Sequence, residues 1–197
     1  MPLVGFGLLC IGGVLGIPAL ESLAIEVSPT NAQVEQAVEH GLRAAKDRVL
    51  PNRLYTWFGS DRELHPRGFL MTKMSGLTVM ASHFGLRGET PSEMEIQRIL
   101  AEDTMLVSVT IFGKTQTFAD NSYIVLKQGE KLVKPLRVRF DGVAQRTKTW
   151  PKAPRYQAKV IGSFRYDAFD PKAKTTIMVF PSQGDEVSFD VEFSGIP

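Results

Sequence analysis

The chain is short of the residues that most often carry chemistry. Its only cysteine is Cys10, inside an apolar N-terminal run, so the remaining sequence can build neither a disulfide framework nor a cysteine-ligated metal site. Its histidines are His40, His65 and His83. None stands at His-x-x-x-His spacing, and no His-Glu-x-x-His helix for zinc is present. A Gly-x-Ser-x-Gly elbow and a phosphate-cradling glycine loop are also missing. The carboxylate pair Glu93 and Glu95 fits the first turn of a helix, where negative charge is favoured. These absences point to a non-enzymatic protein with no cofactor. A formal net charge of +2 is too small to dictate a partner, whereas 43% hydrophobic and 22% charged residues are ordinary for a folded chain. Asn-x-Ser/Thr acceptors are lacking too, which leans towards a bacterial envelope protein over a eukaryotic secreted one.

What the chain does have begins with Pro2 to Leu20, an uncharged run of nineteen residues. As a helix it would span about 28 Å, close to a bilayer core. Residues 1–24 therefore read as a signal peptide or a membrane anchor. A cleavage site fits loosely at Ser22-Leu23-Ala24, with Thr30-Asn31-Ala32 as a later alternative. Lipidation of Cys10 is disfavoured, because Leu9 stands where a small residue normally precedes such a cysteine. The basic n-region of a signal peptide is missing, since no lysine or arginine precedes Arg43. Glu21 and Glu26, with no basic neighbour, suit the outward side of a membrane. The expected location is the periplasm or the outer face of the cytoplasmic membrane.

Residues 28–103 read as a helical region. Ser28-Pro29 resembles a helix start, and Val34, Val38, Leu42, Ala45 and Val49 recur at helical spacing up to the break at Pro51. Tyr55, Trp57 and Phe58 then form an aromatic knot that either covers one end of the fold or is an exposed contact surface. Residues 68–86 are ambiguous. Leu70, Met74, Leu77, Ala81 and Phe84 step like a helix, yet Leu77 to Met80 would also serve as a strand. Met71, Met74, Met80 and His83 lie close in sequence and are soft donors suited to Cu(I), which makes a periplasmic small-ligand or copper-binding carrier the alternative function. Thr90-Pro91-Ser92-Glu93 reads as a capping box for a short helix.

Residues 104–197 are strand-rich. Runs are expected at 105–112, 123–127, 131–133, 136–140, 156–166 and 175–180. The last, Glu186 to Phe193, places Val187, Phe189, Val191 and Phe193 on one face. Their number and spacing suit an antiparallel β-sandwich, immunoglobulin-like in size, so the fold class is α+β. Between Lys131 and Lys159 nine basic residues stand against the single acid Asp141. Lys134, Arg137, Arg139, Arg146, Lys148, Trp150 and Arg155, with Tyr55, Trp57 and Phe58, are the candidate interaction residues. They could meet another envelope protein, a second copy through its acids Asp185, Glu186, Asp190 and Glu192, or an anionic lipid or polysaccharide surface. The bland alternative is a solvated sheet edge guarded by charge. Nucleic acid is not expected as a partner if the domain is exported. The expected role is an exported cell-envelope protein that mediates protein–protein interaction or assembly of an envelope complex.

Overall fold

A computed structural model describes residues 24–196. The apolar run and the signal-peptide or anchor expectation for residues 1–24 lie almost wholly outside them. Among the described residues no helix is long and apolar enough to cross a membrane. The described residues form three α-helices and two antiparallel sheets, a mixed α+β fold.

Helix α1 is Asn31–Lys46. It starts two residues later than the Ser28-Pro29 signal suggests, because Thr30 and Gln33 complete a reciprocal cap. The Gln33 N–H donates to the Thr30 hydroxyl at 3.3 Å, and the Gln33 side-chain carbonyl accepts from the Thr30 N–H at 2.7 Å. Helix α2 is Lys73–Gly85, which resolves the ambiguous stretch in favour of a helix from Lys73 onward. Its buried contact with α1 runs over small residues, Ala37, Gly41, Ala44 and Ala45 against Thr78, Ala81 and Ser82. At Gly41 a Cβ would lie 2.2 Å from the Thr78 carbonyl oxygen, so only glycine admits so close a crossing. That is why Val38 and Leu42, expected on the apolar stripe, end up only half-buried. Helix α3, Glu93–Leu100, is capped by Ser92 rather than Thr90. Glu95, three residues past the serine, reaches back to the Ser92 N–H at 2.6 Å.

The region expected to be helical also contains two strands, β1 (Thr56–Gly59) and β2 (Arg67–Met71). They are an addition to the larger sheet, whose other members are β3 (Thr104–Gly113), β6 (Arg137–Phe140), β7 (Gln145–Arg146) and β8 (Tyr156–Arg165). The order is β1-β2-β3-β8-β6, with β7 also on β8. The smaller sheet runs β10-β9-β4-β5, from β4 (Tyr123–Gln128), β5 (Lys131–Val133), β9 (Lys174–Phe180) and β10 (Val187–Glu192). A two-residue link joins β4 to β5, with Gly129 at φ +58°, a conformation tight hairpins demand. The plainest strand in the sequence, β10, is an edge strand. Its Val187, Phe189 and Val191 are half-buried, while Phe193 leaves the strand and is fully buried in a short 3-10 turn.

The two sheets share one core. Met105, Val107, Val109 and Ile111 of β3 and Ala158, Val160 and Phe164 of β8 meet Ile124 and Leu126 of β4 and Ile177 and Val179 of β9. Ile25 and Ile196, near the two ends of the described chain, join that core. The helices hold a smaller second cluster of Val34, Ala37 and Leu77, against which Met74, Met80, Ile96, Ile99 and Leu100 pack. On the outer side of the larger sheet α2 and α3 stand over one end only, where Gly76 and Ile99 face Met71, Leu106 and Ser163.

Tyr166, just after β8, ties this end together. Its hydroxyl accepts from the Lys73 N–H at 3.1 Å, and the Lys73 ammonium lies over its ring. Burial, with a smaller contribution from nearby Glu102, pushes its phenol up from 10.0 to about 12, against a modest lowering by the Lys73 N–H. A raised folded value means that the native state holds this proton more tightly than the unfolded chain. The stabilisation is therefore complete below pH 10 and is lost as pH rises from 10 to about 12. Phenolate absorbance should show one of the four tyrosines titrating late in the folded protein. Tyr166→Phe should cost about 1 kcal/mol at neutral pH through the lost hydrogen bond. It should also flatten the fall of stability above pH 10; an unchanged slope would contradict the assignment.

Candidate functional site

Directly paired residues of neighbouring strands point to the same side, so the register defines what the outer face of the larger sheet displays. One row runs Trp57, Phe69, Ser108, Ile161, Arg139 across β1, β2, β3, β8 and β6. The next runs Gly59, Arg67, Thr110, Lys159, and a third Phe112, Gln157, Gln145. The helices leave these rows open. A groove of about 470 Å³ lies there, walled by Asn52, Tyr55, Trp57 and Phe69 on one side and by Asp141, Gln145 and Lys159 on the other. Ser108, Thr110 and Gln157 form its floor.

The aromatic wall is held rigidly. Tyr55 stacks on Phe69 with ring centres 4.4 Å apart, and Trp57 meets Phe69 edge-on at 5.4 Å. The Trp57 indole N–H donates to the Asn52 carbonyl at 2.8 Å, which fixes the ring's direction. The Arg67 guanidinium lies 5.5 Å from the Trp57 ring centre. Trp57 remains 44% exposed and also borders a second hollow with Arg53, Gly59 and Asp61. Across the groove, Asp141 accepts from the Lys159 backbone N–H at 2.8 Å. Beyond the Arg67 row, Lys148 pairs with Glu63 and joins the β1–β2 loop to the loop before β8.

The expected contact residues fall into separate places. The aromatic knot is divided by the sheet. Tyr55 and Trp57 face the groove, whereas Phe58 turns inward and packs edge-on against Phe189 at 5.1 Å. Arg137 and Arg139 project from β6, an edge strand; both are exposed and neither has an ion-pair partner among the described residues. Lys134 is exposed in the link before β6. Arg146 lies 4.2 Å from the centre of the Trp150 ring, and the Arg155 guanidinium donates to the Pro151 carbonyl at 3.1 Å, so these residues form one ordered loop. On β10, Asp190 and Glu192 are exposed, and Asp190 accepts from the Thr176 hydroxyl at 2.7 Å.

The methionine–histidine set is not brought together. Met71 is on β2, Met74 and Met80 pack into the helical cluster, and His83 is exposed. Nine residues separate Met74 from His83, which puts them about 180° apart around α2. Groups of three or more histidine, cysteine or acidic residues suited to a metal are likewise absent among the described residues.

Most of the groove was not anticipated from sequence: Asn52, Arg67, Phe69, Ser108, Thr110, Asp141, Gln145, Gln157 and Lys159. Each strand contributes only one or two of them, at ordinary outward positions, so the signal exists only once the pairing is known. Compared with models of known protein families, with curated proteins and with solved structures, the chain matches none of them.

Both tryptophans stand half-exposed beside an arginine, Trp57 at 44% with Arg67 and Trp150 at 43% with Arg146. The local positive charge should attract iodide and repel caesium. In Trp150→Phe and Trp57→Phe variants, the remaining indole should therefore be quenched more by iodide than by caesium. Arg67→Ala and Arg146→Ala should each reduce that difference for its own tryptophan only. Equal quenching by the two ions in the single-tryptophan variants would contradict the geometry.

Proposed function

We propose that the protein is a non-enzymatic component of the cell envelope. Residues 1–24 export it or hold it at the outer face of the cytoplasmic membrane, and its β-sandwich of immunoglobulin-like size docks on an acidic surface of a partner protein. The observation that carries this reading is the β6 edge. Its outward side chains are Arg137 and Arg139, exposed and without a carboxylate partner among the described residues. An edge that needed only protection from pairing would be served by one lysine or proline, and Pro135 already stands before it. Arginine, unlike lysine, is enriched where proteins meet, because its planar fork binds carboxylates two bonds at a time. The adjoining loop adds the exposed Arg146–Trp150 pair, residue types that dominate binding energy at interfaces. A second copy, presenting Asp190 and Glu192 of its own β10, has the right charge to be that partner.

Crosslinking in intact native cells, followed by fractionation, tests both halves of the proposal. The protein should be found in the envelope fraction, crosslinked through the β6 edge. The double variant Arg137→Glu, Arg139→Glu should lose at least about tenfold of the crosslinked product. Its unfolding free energy should stay within about 0.5 kcal/mol of the parent, since both side chains are exposed. Cytosolic protein, or crosslinks unchanged by the double reversal, would overturn the reading.

A further inference from the structure

We propose that the groove on the outer face of the larger sheet binds an acidic glycan, with Trp57 as the stacking surface and Arg67 and Lys159 as contacts for the sugar carboxylate. A sugar ring offers an apolar C–H face, hydroxyls around its rim and, in a uronic acid, one carboxylate. The groove supplies a counterpart for each. Trp57 provides a half-exposed aromatic ring, with the Arg67 guanidinium 5.5 Å from its centre, whose N–H is already satisfied by Asn52, so the ring is held in place without needing a polar partner from the ligand. Its neighbours Tyr55 and Phe69 brace it from the side.

Ser108, Thr110, Gln145 and Gln157 bring hydroxyl and amide groups to the floor and far wall. Such groups both donate and accept, as a sugar hydroxyl does. Arg67 and Lys159 flank Thr110 in one row, two strand spacings or roughly 10 Å apart at the backbone. Neither is in an ion pair among the described residues. Among the described residues Asp141 is the only carboxylate lining the groove, and it already accepts from the Lys159 backbone. The lining thus has one positive charge in excess, enough for a carboxylate on a mostly neutral, hydroxyl-rich ligand. A nucleic acid, with a phosphate at every residue, would call for a more strongly basic lining. At about 470 Å³ the groove is within the ordinary range of small-ligand sites and is open enough to take part of a longer chain.

The test uses the full chain carrying Trp150→Phe, so that Trp57 alone reports. It is titrated with oligogalacturonate, oligoalginate and hyaluronan fragments, with maltotetraose as a neutral control and a single-stranded thymidine oligonucleotide as a phosphate control. At least one acidic oligosaccharide should change Trp57 emission saturably, and added salt should weaken it. Arg67→Ala and Lys159→Gln should each raise its Kd about tenfold, and Trp57→Ala, followed by calorimetry, should abolish binding. Trp57→Phe, which keeps an aromatic face, should retain part of the affinity, so a folding defect in the alanine variant is not mistaken for a lost contact. No response to any acidic glycan, tighter binding of maltotetraose or the oligonucleotide, or affinity indifferent to Arg67 and Lys159 would overturn the proposal. These variants leave Arg137 and Arg139 intact, so the protein contact at β6 stands or falls separately.

Discussion

The ten-residue pairing of β3 with β8, Thr104 opposite Arg165 through Gly113 opposite Tyr156, is the constraint on which the rest of the structure depends. Its inward residues, including Val107, Val109, Val160 and Phe164, anchor the core shared with the smaller sheet. Its outward residues, Ser108, Thr110, Gln157 and Lys159, are the floor and far wall of the groove. Because side chains alternate strictly along a strand, a slip of one residue in either strand would exchange its two sets. Lys159 or Gln157 would enter the core, and Val160 would face water. Burial of the apolar set therefore fixes the groove face as well: the same interaction that stabilises the fold sets which side chains line the groove.

The helices work around this frame rather than within it. Their cluster of Val34, Ala37 and Leu77 is separate from the core between the sheets, and α2 and α3 cover only the end of the larger sheet near Met71 and Leu106. The remainder of that face stays open, bounded by the 3-10 turn that carries Asn52 and by the β1–β2 hairpin. Exposed polar groups on a covered sheet face would be costly to bury without partners. Leu106 and Met71 lie where the helices pack, together with Ser163, whereas the charged Arg67 and Lys159 lie where they do not.

The strands of the C-terminal half were legible in the sequence because short apolar runs recur there, with strict alternation in the last of them, Glu186 to Phe193. The runs expected at 105–112, 123–127 and 175–180 are the strands β3, β4 and β9. The hairpin β1–β2 was not legible. Arg67 to Met71 contains Gly68 at an inward position, so its apolar signal is too short to register, and the helix α2 that follows at once masks it with its own period. The true caps of α1 and α3 lie two residues beyond those first suggested by Ser28 and Thr90, since Gln33 and Glu95 decide which residue they can reach back to. Trp57 was recognisable as a contact candidate from its aromatic neighbours. Arg67 and Thr110 carried no such mark, and Lys159 counted only as the last of the nine basic residues, because the three become neighbours only through pairing across three strands.

Native-state hydrogen exchange on the intact chain is the most direct test that the β1–β2 hairpin is an integral part of the sheet carrying the groove. The amides of β2 that pair with β3 should exchange nearly as slowly as those joining β3 to β8, and should be released together with them as denaturant is added. Exchange of β2 at the rate of the surface loops, while β3 and β8 stayed protected, would separate the aromatic wall from the floor and contradict the account.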